Sequence, residues 1–512
     1  MIANFQETPI GVLIKLVLAI TLTLVSTFAF SQPKAMLPGD YPDPTVIYAD
    51  GIYYSIGTSS EWGPHFPIYQ STDLLHWKQS GFLFQKAPEW TQSSFWAAEY
   101  FYHKGLYYVY YSAKRKGDGV SCIGVATSKY PDRDFVDHGV VVDYGTESID
   151  AFVVQDGNDL YMTWKAYGLD KRPIELLGSK MSDDGFRLEG KPFSLLMDTA
   201  RVGIEGQSFV KKDGFYYMFY SAGACCGVNC DYHVQAVRAK TIKGPYERVG
   251  APVLLGENAD WKCMGHGTFV KGKGNQLYYL FHGYSKTGTT YTGREGLLAT
   301  LRWQAPGEPV FTLISAPKEG NNDFAIDFRK MQDQQLFWQW DFRYASPQFT
   351  MNNNGLHLSG TYAADNFTGI ALTWRPSSIV YQLEATIDLT KSSKAAEKGL
   401  VIYGDKDRAI GLTVIGNNLH FWRMTDGKKM MLQTVSVPQH TKHFSLKLSL
   451  SEGLRSQAYW KQDKEWKELV PANEAAASLE GLSPWDRSPR PGLLFKGDSS
   501  EKAVFTQASL SQ

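Results

Sequence analysis

The sequence predicts an all-β protein, made of a five-bladed β-propeller followed by a β-sandwich of the jelly-roll, concanavalin-like type. Three observations lead to this prediction. A unit of strand, turn and aromatic strand occurs five times between residues 38 and 303, its turn glycines lie 52 to 60 residues apart, and no long amphipathic helix interrupts the region. Strand repeats of this period are typical of radial β-repetition, in which each unit forms one blade.

Each unit opens with a polar residue, continues with strand formers, and then has a turn and a Tyr-rich strand. In chain order the opening residues are Asp43, Glu99, Asp150, Glu205 and His266. The first strand of a propeller blade lines the central channel, so we expect these five side chains to project toward one axis. Folding gains nothing from crowding four carboxyl groups, because they repel and burial raises their pKa values, whereas an acid–base site requires such an arrangement.

Residues 304–335 contain Pro, Gly and Asn without sustained periodicity, and we interpret them as a crossover. Short alternating segments return in residues 336–512, which predicts the sandwich. The aromatic repeat is absent there, so this part is not a sixth blade. The predicted domains are therefore a signal peptide (1–31), a catalytic propeller (32–320) and a C-terminal sandwich (336–512).

The N-terminal segment has the features of an export signal. Residues 16–31 are uncharged and mostly apolar behind Lys15, and Ala29-Phe30-Ser31 fits a cleavage site. We predict that the mature chain begins near Gln32 in a secreted or periplasmic location, with an uncleaved anchor as the alternative.

Composition limits the partners and the cysteine chemistry. Lys+Arg and Asp+Glu both number 52, so charge gives no reason to expect nucleic acid or a stable membrane partner. The five cysteines leave several arrangements open: a Cys225–Cys226 vicinal bridge, a Cys226–Cys230 bridge, a zinc site, or small buried residues with one bridge at most. An odd count leaves at least one thiol.

Five short motifs stand in order along the repeat region. They are Tyr41-Pro42-Asp43-Pro44, Ser148-Ile149-Asp150-Ala151, Ile204-Glu205-Gly206, Gly265-His266-Gly267 and Gly293-Arg294. At these residues the chain resembles the family 43 glycoside hydrolases, five-bladed propeller enzymes that include β-xylosidases, α-L-arabinofuranosidases and arabinanases. The second domain looks like the sandwich that follows the propeller in many β-xylosidase-like members. Two departures are the sequence Trp96-Ala97-Ala98-Glu99, where the family usually has Pro before the acidic residue, and Gly206-Gln207, where many members have Gly-Pro.

The resemblance implies three catalytic roles. Asp43 would be the general base that takes a proton from water, and Glu205 the general acid that protonates the leaving oxygen, which requires a raised pKa. Asp150 would raise the pKa of Glu205 and orient it. The structural alternatives are a turn-forming Asp43, a Glu205 paired with Arg201 or Arg294, and an Asp150 that caps a turn.

The remaining candidates contact substrate or metal. Trp96, Glu99, Arg294 and His266 are predicted substrate-binding residues, and His266 is also a candidate metal ligand, because some members of the family bind Ca²⁺ near the axis. No cofactor is expected to be required for the chemistry. Trp62 and Phe66 are further candidates for stacking on sugar rings.

We therefore expect an exported hydrolase of xylose- or arabinofuranose-containing saccharides that inverts the anomeric carbon, with the carboxyl groups of Asp43 and Glu205 about 6.5–9.5 Å apart. A separation near 5 Å would favour a retaining fructoside-type hydrolase. A sugar-binding propeller without catalysis is the rival from another class. The sugar, exo or endo action, the oligomeric state and the role of the second domain stay open at this point.

Overall fold

The computed structural model describes residues 34–168, 172–304, 307–317, 323–330 and 337–512. The predicted signal peptide lies outside the described residues. Strands account for nearly all of the regular structure in the described ranges, and there no helix has the length and apolar character that crossing a bilayer requires. The one α-helical turn in this part, α1, spans Thr289–Thr292, and short 3₁₀ turns lie at Lys273–Asn275, Glu452–Leu454 and Glu474–Ala477.

The first 21 strands belong to the repeat region. They are β1 (Thr45–Ala49), β2 (Ile52–Ile56), β3 (Trp62–Gly63), β4 (His65–Ser71), β5 (Lys78–Phe84), β6 (Thr91–His103), β7 (Leu106–Arg115), β8 (Ser121–Ser128), β9 (Val136–Val142), β10 (Glu147–Asp156), β11 (Asp159–Tyr167), β12 (Glu175–Met181), β13 (Phe193–Met197), β14 (Ile204–Lys212), β15 (Phe215–Ala222), β16 (His233–Ala239), β17 (Glu247–Arg248), β18 (Trp261–Lys271), β19 (Leu277–Ser285), β20 (Arg294–Gln304) and β21 (Glu308–Ile314).

These strands form five antiparallel four-stranded sheets, counted over the described ranges. Their orders are β1-β2-β4-β5, β6-β7-β8-β9, β10-β11-β12-β13, β14-β15-β16-β17 and β18-β19-β20-β21. The innermost strands β1, β6, β10, β14 and β18 contact one another in a ring that closes from β18 back to β1. The N-terminal segment latches onto the fifth sheet, where Leu37 bridges to Gly296 and the Tyr41 N–H donates to the Arg294 carbonyl (2.7 Å). The predicted propeller fold is confirmed.

The inner strands β6, β10, β14 and β18 carry β-bulges, where their register against the second strand of the same blade shifts. A residue with a positive φ lies at the matching point of each blade, and in the first blade it precedes β1. These five bulge residues are Asp43 (51°), Ala97 (44°), Asp150 (60°), Gly206 (61°) and His266 (47°). A bulge re-aims the side chain that it carries, so the same local irregularity presents one residue of every blade differently from its strand.

The bulges also join neighbouring blades. The N–H of the bulge residue donates to a side chain of the preceding blade in all five cases: Ala97 to Thr58 Oγ1 (2.8 Å), Asp150 to Ser112 Oγ (3.1 Å), Gly206 to Asp150 Oδ2 (3.1 Å), His266 to Ser221 Oγ (2.8 Å) and Asp43 to His282 Nδ1 (3.0 Å). The last bond runs from the first blade to the fifth. The backbone N–H groups that a bulge removes from the ladder are therefore satisfied by side chains that fix the position of the next blade.

The remaining strands build the sandwich. They are β22 (Phe324–Asp327), β23 (Trp340–Asp341), β24 (Ala345–Asn352), β25 (Gly355–Tyr362), β26 (Ile370–Thr373), β27 (Tyr381–Asp388), β28 (Glu397–Asp405), β29 (Arg408–Ile415), β30 (Asn418–Thr425), β31 (Lys428–Ser436), β32 (His443–Ser451), β33 (Arg455–Gln462), β34 (Glu465–Glu468), β35 (Arg490–Lys496) and β36 (Ala503–Ser511). One sheet has the order β24-β25-β36-β27-β32-β33-β34 with β22 beside β36, and the other has the order β26-β35-β28-β29-β30-β31. Alternate residues such as Leu383, Ala385 and Ile387 face the core between them.

The sandwich packs directly on the propeller. Strand β23 pairs with β3, and Trp62 of β3 is buried against Tyr403 and Trp422 of the sandwich. Phe66 is fully buried in the core of the first two blades. The prediction that Trp62 and Phe66 stack on sugar is therefore wrong, because neither ring is accessible.

Candidate active site

Side chains from several blades meet at the ring of bulges. Nδ1 of His266 lies 3.4 Å from Oδ1 of Asp43 and 3.9 Å from Oδ2 of Asp150. The same Asp150 oxygen accepts the Gly206 N–H, which follows Glu205 directly in the chain. The structure thus brings together Asp43, Asp150, Glu205 and His266, as the repeat predicts.

Asp43 is a buried carboxylate surrounded by donors and positive charge. Nη1 of Arg294 lies 3.1 Å from its Oδ1, and Thr58 donates to its Oδ2 at 2.7 Å. Burial acts to raise the pKa of Asp43, but the opposing effect of Arg294, His266 and His282 is larger. The pKa of Asp43 therefore lies well below its usual range. Asp43 is therefore ionised whenever the protein is folded at ordinary pH.

Arg294 is fixed by contacts at both ends. Its backbone N–H donates to Asp40 Oδ1 (3.1 Å), and Nη2 of its guanidinium group donates to the backbone carbonyl of Asp486 in the sandwich (3.1 Å). Gly293 precedes it with φ 86°, and a Cβ at that glycine would lie 2.3 Å from Asp40. Only glycine permits this approach, which places the guanidinium on Asp43. The pKa of Arg294 is raised: Asp43 and other neighbouring acids overcome the opposing effect of burial, so its charge is secure.

Asp150 has the opposite environment. Burial raises its pKa to about 6, and the neighbouring Glu205 and Asp43 carboxylates add to this effect, while His266 and Lys165 oppose it. The Asp150 carboxyl group is therefore partly protonated at mildly acidic pH. Two carboxyl groups with different protonation tendencies are what acid–base chemistry requires.

Both oxygens of the Glu205 carboxyl group are occupied. Tyr232 donates to Oε1 at 3.0 Å, and the ammonium group of Lys165 pairs with Oε2. Burial acts to raise the pKa of Glu205, but Lys165, His266 and Tyr232 outweigh it and the pKa is lowered. The expected raised pKa of Glu205 is therefore wrong for the ligand-free protein, and it is Asp150 that has the raised value. The salt-bridge partner is Lys165, not Arg201 or Arg294.

Three residues of this site were missed from the sequence: Lys165, Tyr232 and His282. Lys165 is the one charged residue among the apolar and aromatic residues at the centre of β11, and that contrast was a usable signal. His282 is fully buried on β19, burial lowers its pKa to about 4, and its ring stacks on Tyr232 with centroids 5.7 Å apart. Tyr232 follows an irregular loop, and its sequence gives no comparable signal.

Glu99 does not occupy the position that the repeat assigned to it. Asp43, Ala97, Gly206 and His266 each precede their turn glycine by eight residues and Asp150 by seven, whereas Glu99 precedes Gly105 by six. Ala97 is therefore the bulge residue of the second blade, and treating Glu99 as its opening residue was wrong.

Glu99 instead lies two residues beyond the bulge and is buried. It accepts a bond from Thr268 Oγ1 at 2.8 Å, and burial raises its pKa to about 8. A neutral carboxyl group with an internal partner suits a structural role. Its contact with substrate stays a prediction.

A cavity of about 660 Å³ opens between the propeller and the sandwich. Trp96 lines it, donates from Nε1 to Asp486 Oδ2 (3.4 Å), and meets the Trp485 ring edge-on at 5.9 Å. Trp485 is 62% exposed. The backbone carbonyl of Asp486 also accepts a hydrogen bond from Arg294, so this segment of the sandwich contacts the residue that pairs with Asp43.

The residues present do not fit a metal held directly by side chains. Within the described ranges, no group of three or more His, Cys, Asp and Glu residues is arranged to hold a metal ion, and Nδ1 of His266 faces two carboxyl groups. The metal-ligand role of His266 stays a prediction.

Four of the five cysteines form two disulfides beside the site. Cys225 pairs with Cys226, and Cys230 pairs with Cys263 across 33 residues, which leaves Cys122 as a buried thiol. The vicinal bridge is confirmed. The Cys226–Cys230 and zinc alternatives are wrong, because all four sulfurs belong to these two disulfides. The alternative of one bridge at most is also wrong, because there are two. The longer bridge ties the segment before Tyr232 to the strand of His266.

Comparisons with known proteins agree with this geometry. The family model described as "Glycosyl hydrolases family 43" matches residues 33–309, which is more than half of the chain. The chain is 28% identical over 308 residues to an extracellular exo-α-(1→5)-L-arabinofuranosidase of Cellvibrio japonicus, covering 53% of this chain and 86% of the relative. It is 25% identical over 421 residues to a non-reducing end α-L-arabinofuranosidase of Bacteroides ovatus, covering 75% of each.

The arrangement of both domains has solved counterparts. The structure of a xylan β-1,4-xylosidase from Bacillus halodurans superposes with a TM-score of 0.79 at 19% identity, covering 94% of this chain and all of the other. At this identity the likeness supports the fold alone. It extends across the propeller and the sandwich together.

Proposed function

The chain belongs to glycosyl hydrolase family 43, and from that premise we propose an exported glycosidase that removes terminal arabinofuranose or xylose units from arabinan- or xylan-type saccharides with inversion. Glu205 acts as the general acid, Asp43 as the general base, and Asp150 tunes and orients Glu205. The observation that carries the proposal is that three carboxyl groups from three blades, more than 150 residues apart in sequence at the extremes, share one buried cluster with opposite protonation tendencies.

Asp43 has the properties of a base that activates water. Its ionised state is secured by Arg294, and its position is fixed by the bulge N–H bond to His282. A water molecule that donates to Asp43 would attack the anomeric carbon from the face opposite the leaving group. The same bonds prevent the carboxylate from rotating away during turnover.

Glu205 and Asp150 supply the other half of the reaction. Cleavage requires a proton on the bridging oxygen as the bond breaks, and Glu205 lies on the neighbouring inner strand to Asp150. When Glu205 carries that proton, its electrostatic coupling to Asp150 stabilises the protonated form. In each turnover Glu205 gives one proton to the leaving group and Asp43 takes one from the attacking water. Exchange with solvent then removes the proton from Asp43 and returns one to Glu205.

Exo action and the substrate class rest on the second domain and on the relatives. Trp485 and Asp486 line the cavity between the domains, and the Asp486 carbonyl accepts a hydrogen bond from Arg294, so a segment of the sandwich reaches the neighbourhood of Asp43. A segment that closes one end of the cleft would favour binding of a chain end over binding along a chain. Two relatives are named for removal of terminal α-L-arabinofuranose, one of them as an extracellular enzyme. Export also agrees with the predicted signal at residues 1–31. A structural Ca²⁺ near the axis remains a further expectation.

The proposal is tested with a panel of aryl glycosides (α-L-arabinofuranoside, β-xyloside, β-galactofuranoside) and with NMR of the first-formed anomer. We expect turnover of at least one of the first two, with inversion. Glu205→Gln should lower kcat by about 10²–10⁴-fold on substrates with poor leaving groups and far less on activated ones. Asp43→Asn should lower kcat on all of them, whereas Asp213→Asn, an exposed turn residue, serves as the control.

Either of two results contradicts the proposal. A retained anomeric configuration would favour a covalent intermediate and the fructoside-type mechanism. Near-native rates in either Glu205→Gln or Asp43→Asn, on a substrate with a poor leaving group, would remove the assigned roles.

A further inference from the structure

Both oxygens of the proposed acid, Glu205, are engaged by protein side chains. A general acid must bring a proton within hydrogen-bond distance of the leaving oxygen. Tyr232 already occupies one oxygen of Glu205 and Lys165 the other, and the side chains of Glu205 and Lys165 are only 16% and 12% exposed. Both contacts favour the ionised carboxylate, so protonation of Glu205 in the productive complex is favoured when one of them opens.

Tyr232 is the fixed contact. Its side chain is 1% exposed, its ring lies parallel to that of His282, and Cys230, two residues earlier, is tied by a disulfide to Cys263. His282 in turn accepts the Asp43 N–H. Moving Tyr232 would disturb the proposed base as well as the acid.

Lys165 is the movable contact. Among the described residues its ammonium group hydrogen-bonds to Glu205 alone, and it ends a flexible four-carbon stem. The Tyr167 ring lies 5.1 Å from the same nitrogen on the same strand. At this distance the ammonium group already lies over the aromatic face, which stabilises a cation, so the contact with Tyr167 can keep Lys165 in place after it leaves Glu205.

We propose that Lys165 is a positioning residue that holds Glu205 as a carboxylate until a bound glycan takes its place at Oε2. Displacement of the ammonium group by the glycosidic oxygen removes the charge that favoured ionisation. Glu205 then takes up one proton from solvent and hydrogen-bonds to that oxygen. The inference rests on the proposed function and deepens it, because it makes formation of the acid dependent on substrate.

The surrounding charges support this direction. The ionisable groups that face Glu205 are Lys165 from β11, Tyr232 from the loop, Asp150 from β10 and His266 from β18. Asp198 and Tyr167 also face Lys165. Once Lys165 has moved, burial and the Asp150 carboxyl group both raise the pKa of Glu205, and Tyr232 and His266 remain to oppose them.

The test compares two pH profiles of the full-length enzyme on an aryl glycoside with a poor leaving group. The alkaline limb of kcat/KM reports the acid in the free enzyme, and that of kcat reports it in the complex. In the wild type we expect the kcat limb to lie roughly 1–3 pH units above the kcat/KM limb, the effect of one close opposite charge. In Lys165→Met the kcat/KM limb should rise to meet the kcat limb, which stays in place.

Two variants serve as controls. Lys165→Arg keeps the charge and should keep the separation of the two limbs. Lys211→Met removes an exposed lysine from the strand of Glu205, where it pairs with Asp156, and should leave both limbs unchanged.

Coincident limbs in the wild type overturn the proposal, and this result does not depend on any variant folding. In Lys165→Met, a parallel rise of both limbs means that Lys165 stays on Glu205 during turnover, and unchanged limbs mean that it does not control Glu205; each overturns the proposal. Failure of the proposed function is a different outcome, since it would show as absent hydrolysis or as full activity in Glu205→Gln.

Discussion

Replacement of Arg294 by Met tests how the proposed base is kept ionised. Nη1 of Arg294 lies 3.1 Å from the Asp43 carboxylate, and both side chains are less than a tenth exposed. With an effective dielectric constant of about 20, that attraction is about 5 kcal/mol, equivalent to a rise of about 4 in the pKa of Asp43 when it is lost. Water entering the vacated space would reduce this figure, so we expect a rise of roughly 2 to 4.

The assay is the acid limb of kcat/KM on an activated aryl glycoside. Because the pKa of wild-type Asp43 is far below its usual range, the wild-type enzyme should show no loss from this group down to its acid-stability limit. In Arg294→Met the limb should enter the measurable range, with activity recovering as pH rises. Arg343→Met, which removes another interdomain arginine that pairs with Asp341 and Glu61, should not move the limb.

The Asp43–Arg294 pair should also make the folding stability depend on pH. A carboxylate with a depressed folded-state pKa stabilises the fold above its unfolded pKa, and that contribution is lost as pH falls toward the folded value. Arg294→Met should lose this contribution and cost about 3–5 kcal/mol near pH 7, the usual effect of leaving one member of a buried pair alone. An acid limb that coincides with that of the wild type would refute the electrostatic reasoning, even if the variant were less stable.

Three further predictions concern the neighbouring structure. Gly206→Ala should lower kcat at least tenfold, because the new Cβ would lie 2.7 Å from the His266 ring; Gly214→Ala, with a similar positive φ but open space, is the control and should keep its activity. Cys230→Ser should destabilise the chain by about 4 kcal/mol, from the entropy of a loop closed over 33 residues. This loss should shorten the half-life on heating, and an unchanged half-life would contradict it. Asp486→Ala should raise KM on oligosaccharides more than on small aryl glycosides, since it removes a bond to Trp96 at the cavity wall; equal effects on both would count against that wall as a binding surface.

The repeat could be predicted from the sequence because its signals are local. Turn glycines, aromatic strands and an opening polar residue lie within a few positions of one another, and together they located Asp43, Asp150, Glu205 and His266. Arg294 followed from its resemblance to a family motif. The sheet order and the closed ring then follow from the repetition itself.

What could not be predicted depends on register and distance. Ala97 and not Glu99 is the bulge residue of the second blade, and strand alternation does not show this, because residues two positions apart lie on the same face of a strand. Lys165 reaches Glu205 from the next blade, and Asp486 reaches Arg294 across 192 residues. Such contacts are set by how whole sheets pack, which a local pattern does not encode.

The latch between residues 37–41 and the fifth blade joins the two ends of the propeller. Arg294 is among the last propeller residues to be synthesised and Asp43 among the first, although the two side chains form one ion pair. A chain that ends before β20 would retain Thr58, His266 and His282 beside Asp43 but would lack the guanidinium group of Arg294. The environment that keeps the pKa of Asp43 low is therefore complete only when the last blade has joined the first.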